Sequence, residues 1–504
     1  MSQSTAGAAP AAPPAPPPAG TAGDNRRRWA AFGILLLASF INLVDVTIIN
    51  VAIPRLQASF GASDSDIQWV VAGYVLVFAL GLLPFGRLGD LLGRRRLFLF
   101  GVAGFTFGSA LCGLAPNVEA LIGARILQGI TAAMMMPQVL AIAQVMFAPH
   151  ERAVAFSLFG VTAGLASVSG PLAGGALIAL DLWGLDWRPI FLVNIPIGLL
   201  AIVAGRLLIP ESGQRDRGGL DLVGVALGGL TLLAILYPLI EGRDRGWPLW
   251  EIGIMLASLP LAALFVAWQR QRRRAARAEL LPLALLRNRS FLTGIAMTVL
   301  LFSGMSGFFF IVAIFLQTGF GFTPLQSALT TFPFALGILL ASIASGRLSV
   351  RWPRARIAIG ALVFGAGMVA LFVIALGLDQ AVDHWLFAAP LLPCGIGIGI
   401  AIAPLFRTIL SRVDPRQAGA GSGALQSFQQ VGSAVGVAIQ GQIFFPALAA
   451  GLAAQQLQGP AFAGALRATL IYEIAVALGL AVLAASLPRL AQEEPTAARP
   501  PMEV

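Results

Sequence analysis

From residue 29 to residue 488 the chain is almost continuously apolar, and its charges collect in short breaks that cut it into runs. Fourteen such runs can be marked, at about 29–52, 67–86, 97–114, 118–140, 154–177, 189–209, 221–240, 249–268, 290–316, 324–346, 356–377, 385–410, 417–445 and 465–488. Hydrocarbon about 30 Å thick takes roughly 20 apolar residues in a helix to cross, and inside it every backbone amide needs a partner within the segment. An all-α membrane protein with fourteen transmembrane helices is therefore expected. Composition agrees, because 11% of residues are charged against about 25% in a soluble domain.

All 33 basic residues are arginine and the formal charge is +10. A nucleic-acid reading fails, because the arginines lie in clusters between apolar runs and form no surface of a soluble module. Positive-inside topology accounts for them. Alternating the runs from a cytoplasmic N-terminus puts about 27 of the 33 in cytoplasmic segments or helix ends. Arg55, Arg188, Arg243, Arg245 and Arg467 fall outside, and Arg125 lies within a run. One missed or invented span would reverse the polarity of all that follows, so the asymmetry favours an even count.

The densest break is residues 86–96, Gly-Arg-Leu-Gly-Asp-Leu-Leu-Gly-Arg-Arg-Arg. It reads as a tight cytoplasmic turn in which Gly86, Gly89 and Gly93 let two helix ends meet. Residues 346–356 repeat its opening Gly-Arg-Leu and its basic close at the equivalent end of run ten. Two six-helix bundles with two inserted helices place both stretches in matching positions. The expected division is a disordered tail 1–28, a bundle 29–210, inserted helices 211–268, a basic linker 269–289, a second bundle 290–490 and a tail 491–504. Parallel repeats of this kind hold their site between the halves near mid-membrane.

Charges within the membrane are functional candidates by default. Asp45, Arg125 and Glu473 are the three embedded ones. Asp45 and Arg125 each lie about seven residues from the outer end of their run, roughly 10 Å deep at 1.5 Å per residue, so they can meet. A structural ion pair and a proton-coupling pair both fit. If the pair couples, it must separate or exchange with cargo during the cycle. Glu473 is either a second proton site or an acid facing a neighbour's polar groups. Run five carries the GxxxG pairs Gly160/Gly164 and Gly170/Gly174 with Pro171, which permit close and kinked packing. Cys112 and Cys394 fall in different apolar runs, and neither His150 nor His384 has metal-ligand spacing, so no disulfide or metal is expected. No His/Cys cluster, phosphate loop or nucleophile elbow suggests an enzyme.

Taken in order, several stretches resemble the fourteen-span drug:proton antiporter-2 family of the major facilitator superfamily. Residues 42–54, Asn-Leu-Val-Asp-Val-Thr-Ile-Ile-Asn-Val-Ala-Ile-Pro, are similar to its first-helix signature, with the acid at Asp45. Gln68-Trp69-Val-Val-Ala-Gly-Tyr74, the 86–96 loop, Arg125-Ile-Leu-Gln-Gly129, residues 160–175 and Trp187–Gly198 follow in the family's order. Leu91 stands where the family usually has Arg or Lys, and Ala166 where it often has Gly.

The resemblance implies export of amphipathic drugs or a metabolite across the cytoplasmic membrane, with protons as coupling ion, no other cofactor and a monomeric chain in lipid. A uniporter, symporter or importer on the same fold is the alternative. It further implies proton handling at Arg125, for which the embedded acids Asp45 and Glu473 are the candidate proton groups on their own placement. Leak would be blocked by Gly164, Gly170, Pro171, Gly174 and Gly175. Inward opening would be gated by Gly86, Arg87, Asp90, Gly93, Arg94 and Arg95, with Asp90 set against the start of run thirteen. Asn42, Trp69, Tyr74, Gln128, Phe309 and Gln426 are the candidates for lining the substrate cavity. Cargo and protons are then expected to trade at an acid buried where the two bundles meet.

Overall fold

The computed structural model describes residues 22–487 apart from 148, 212–220, 244, 276, 278, 282–287, 348–351, 379–380, 411–417 and 456. Both expected tails beyond those limits, much of the basic linker and the middle of the 346–356 echo lie outside the described residues.

Fourteen long helices follow in order: α1 (Ala22–Phe60), α2 (Asp64–Leu92), α3 (Arg94–Leu114), α4 (Val118–Met146), α5 (Pro149–Leu180), α6 (Asn194–Leu208), α7 (Leu222–Glu241), α8 (Leu249–Arg274), α9 (Arg289–Ile314), α10 (Pro324–Arg347), α11 (Pro353–Leu376), α12 (Leu391–Leu410), α13 (Ala418–Ala453) and α14 (Gln458–Ser486). Short turns Pro189–Leu192 and His384–Ala388 lead into α6 and α12. Thirteen of the spans are long and apolar enough to cross a membrane; the described apolar stretch of α5, Gly164–Leu180, is shorter. Turn chemistry sets the ends where water returns. Ser63 and Asp66 form a reciprocal capping box on α2, and Asn117 and Asn288 cap α4 and α9, each satisfying amides the first turn leaves open.

Several helices outrun the apolar stretches that mark them. α1 begins at Ala22, inside the expected tail, with Arg28 paired to Glu151 of α5 at 2.7 Å and Arg27 donating to the Leu207 carbonyl. α8 continues to Arg274, α13 to Ala453, and α14 starts at Gln458. Hydropathy marks the bilayer, whereas a helix ends where its backbone is capped.

Packing repeats between the halves. In the first, α1 packs on α5 and α6, α2 on α4, and α3 on α4 and α6; in the second, α9 packs on α13 and α14, α10 on α12, and α11 on α12 and α14. Two seams join them, α2 against α13 and α5 against α10, which the same repeat relates. Large apolar side chains such as Phe100, Phe107, Leu259 and Val482 point outward, as a lipid-facing surface requires.

The inserted pair is peripheral: 11% of the α8 apolar window is buried, against 72% of the α9 window. α7 packs on α8, α2 and α13. At the arginine-rich end Asp221 caps α7 through the Gly224 amide and accepts from Trp268 Nε1 at 2.8 Å and Gln269 Nε2 at 2.7 Å of α8. At the far end Arg243 pairs with Asp64 of α2 at 3.0 Å while lying 4.7 Å from the Phe445 ring centre of α13. Trp69 Nε1 donates to Glu241 at 2.8 Å, and Gln442 of α13 donates to the Leu239 carbonyl. The inserted helices therefore tie both halves together at that end.

Candidate functional site

Two charges that apolar runs cannot tolerate singly meet inside the first bundle. Asp45 Oδ2 accepts from Arg125 Nη1 at 2.5 Å, and both side chains are at most 1% exposed. Its Oδ1 accepts from Gln128 Nε2 at 2.9 Å and Asn194 Nδ2 at 3.1 Å. Gln128 and Asn194 also donate to Ser109 Oγ of α3. Arg125 spends further donors on Gln128 Oε1 at 2.7 Å and the Val70 carbonyl at 3.3 Å. Its guanidinium lies 4.2 Å from the centre of the Tyr74 ring, whose hydroxyl accepts from Asn42 Nδ2 at 2.6 Å. Five helices thus converge on one ion pair with its remaining bonds satisfied, which is the condition for burying such a pair.

Every described partner of the pair belongs to α1, α2, α3, α4, α6 or the Pro189–Leu192 turn that leads into α6, so the acid is sealed within one half and not at the junction of the two. Helix geometry gives the reason. Successive residues are about 100° apart, so Thr47, two positions beyond Asp45, points to the opposite side of α1. Thr47, Asn50 and Val51 line a cavity between the halves, while Asn42, Asp45, Ile49 and Ala52 face inward and are buried.

That cavity, of about 90 Å³, is bounded by α1, α5, α9 and α10. Met305, Phe309, Phe332 and Phe334 make its aromatic and thioether surface, with Phe309 edge-on to Phe334 at 4.9 Å. Thr47, Asn50, Ser327 and Thr331 supply its polar groups. Beside it Gln317 donates across the halves to the carbonyl of Val51, a lining residue, at 2.9 Å.

Glu473 lies in the second half. Its Oε1 accepts from Gln440 of α13, whose amide also donates to the Gly304 carbonyl, and its Oε2 is buried without a hydrogen-bond partner. A side chain at Gly304 would begin 2.6 Å from that oxygen.

Of the six residues expected to line a cavity, Phe309 does so. Asn42, Tyr74 and Gln128 belong to the Asp45–Arg125 cluster, because polar groups at that depth satisfy one another first. Trp69 is held by Glu241, and Gln426 is half-buried on α13, off the described lining. In run five, Gly170 and Gly174 let α5 lie against Thr47 and Ile48 of α1, and a Cβ at Gly175 would stand 2.8 Å from Leu325 Cα of α10. Gly164 faces Leu339, also of α10, and Pro171 lines the cavity. In the loop, Gly93 adopts φ 102°, a backbone open to glycine. Arg94 donates to the Ala141 carbonyl at 3.0 Å, and Arg95 bonds Glu211 and the Ile209 carbonyl. A Cβ at Gly86 would touch Pro137, and Arg87 is half-buried. The side chain of Asp90 lies outside the described residues.

Sequence reasoning did not single out Asn194, which bonds Asp45, Ser109, which accepts from Gln128 and Asn194, or Thr47, Asn50, Ser327 and Thr331 as cavity groups. The signal for two of these was present: Asn42 and Asp45 occupy one face of α1, Thr47 and Asn50 another.

The profile of the Major Facilitator Superfamily matches residues 35–437. The probable actinorhodin transporter of Streptomyces coelicolor is 42% identical over 424 residues, covering 83% of this chain and 73% of the relative. The puromycin resistance protein pur8 of Streptomyces alboniger is 36% identical, covering 86% and 84%. Among solved structures, a bacterial homologue of the human lysosomal transporter Spinster, inward-facing and unoccupied, superposes with TM-score 0.62 over 91% of this chain and 96% of that one, at 18% identity, a likeness of fold.

Proposed function

The chain belongs to the Major Facilitator Superfamily, and from that premise we propose that it exports amphipathic organic compounds across the cytoplasmic membrane in exchange for protons, by alternating access. The arginine-rich end is cytoplasmic on this reading, with both termini inside. The observation that carries it is the pairing of a cavity between two repeated bundles with a buried ion pair a helix-width away. Relatives named for actinorhodin transport and puromycin resistance agree with carriage of organic compounds, and resistance fits the outward direction.

The geometry suggests how a proton acts on the bundle. Protonating Asp45 cancels its attraction for Arg125, but Gln128, the Val70 carbonyl and the Tyr74 ring still hold the guanidinium. Arg125 then has a second resting place on α2. Because α2 forms one of the two seams with the second half, movement of Tyr74 reaches that seam directly. Glu473, which bonds Gln440 of α13, is the second group placed to take a proton next to a seam helix.

The test is efflux of a panel of fluorescent aromatic compounds from cells lacking their own pumps, with and without an uncoupler. The expected result is retention at least several-fold lower than in cells without the protein, abolished by the uncoupler. Efflux that survives the uncoupler unchanged refutes the proton coupling.

A further inference from the structure

We propose, on the export reading above, that the cargo is uncharged while it occupies the central cavity: a flat aromatic compound bearing hydroxyl or carbonyl groups. Organic molecules with a permanent positive charge are refused.

The cavity is electrically bare. Among the described residues, none that lines it is ionisable. Among the described residues, too, the three buried charges near mid-membrane all turn away from it. Asp45 and Arg125 face the interior of the first bundle and are already saturated by each other, Gln128, Asn194 and Val70. Glu473 meets α9 at Gly304, whereas α9 reaches the cavity through Met305, Phe309 and Ala313, about 100–180° around the helix from Gly304. A cation entering this space would leave water without meeting a counter-charge, the situation that makes lone charges in membranes costly.

What the cavity offers instead is surface for rings and a few hydrogen bonds. Phe309 and Phe334 present edge and face to a flat guest. The Thr47 and Thr331 hydroxyls donate to carbonyls of their own helices, so their oxygens remain as acceptors for a guest hydroxyl. Asn50 is half-buried at the cavity wall and brings an amide that can both donate and accept. That set pairs with carbonyl and hydroxyl groups and gives an ammonium nothing anionic.

The experiment compares two nearly isosteric probes, acridone (uncharged) and N-methylacridinium (a permanent cation), in binding to the purified full chain and in efflux from pump-deficient cells. The wild type is expected to bind and expel acridone at least tenfold better than N-methylacridinium. Asn50→Asp places a charge in the cavity with almost no change of shape and should reverse that preference; Ser327→Asp serves as a second variant should the first fail to fold. Equal handling of the two probes by the wild type, binding of neither, or an unchanged preference in both folded variants overturns the inference. Binding is read on purified protein, so a chain that binds acridone selectively but shows no uncoupler-sensitive efflux sinks the export reading and leaves the inference standing.

Discussion

Replacing Asp45 by Asn keeps the shape of the side chain and removes its charge. The introduced amide can still accept from Gln128 and Asn194 through Oδ1, but it sets an N–H against Arg125 Nη1, where a carboxylate oxygen now sits at 2.5 Å. Arg125 is 1% exposed, so its charge cannot reach water. Breaking a buried pair from one side costs about 3–5 kcal/mol. The lower end applies here, because Gln128, Val70 and Tyr74 continue to hold the guanidinium. About 3 kcal/mol is roughly a hundredfold in a folding equilibrium. The double variant Asp45→Asn with Arg125→Gln removes the orphaned charge, so most of that loss should return, a positive interaction in a double-mutant cycle. Transport behaves differently. In everted vesicles under an imposed pH gradient, the single and double variants should both lose the acceleration the gradient gives the wild type. Thermal stability of detergent-purified protein supplies the first readout. A single variant as stable as wild type would falsify the energetic reasoning, and a double variant still driven by the gradient removes Asp45 from coupling.

Two further outcomes follow from the inserted helices. Burial raises the affinity of the Asp221 carboxyl for its proton, but hydrogen bonds from Trp268, Gly224 and Gln269 and the charge of Arg272 outweigh it and hold the group below its ordinary value of 3.8. A depressed acid stabilises the fold above its unfolded value and loses that contribution as pH falls through the lower folded one; Asp221→Asn should therefore destabilise at pH 7 and converge with wild type only as pH falls well below 3.8, measured by thermal unfolding across pH. Arg243→Gln removes the bridge between Asp64 and Phe445, a partly buried contact worth about 1 kcal/mol. Maleimide labelling of a cysteine placed at Asn50, applied from outside, should rise several-fold, and unchanged labelling contradicts the tie.

Fourteen spans were legible because hydrocarbon imposes a length and a composition that few other solvents impose. Helix ends were less so: Ala22–Arg28, Arg270–Arg274 and Gln458–Ala465 are helical in water or at the membrane surface, where hydropathy is silent. Asp45 and Arg125 stood out because charges in apolar runs are rare, and residue counts alone placed them at one depth. What surrounds them was harder to read. Asn194 and Ser109 are uncharged polar residues of a kind common in such helices, and only the fold brings Asn194 to the carboxylate and Ser109 to Asn194. The cavity was hardest, since Ser327 and Thr331 belong to it only once α10 is laid against α5.

The ties between α7 and both α2 and α13 make the two seams unequal. One edge of the molecule is bound like the spine of a book, and the other, where α5 meets α10, has no described cover. On the alternating-access reading, rotation of the halves opens the pages along that uncovered margin, which would give a greasy guest a slot facing the acyl chains there and a closed back at the α7 side.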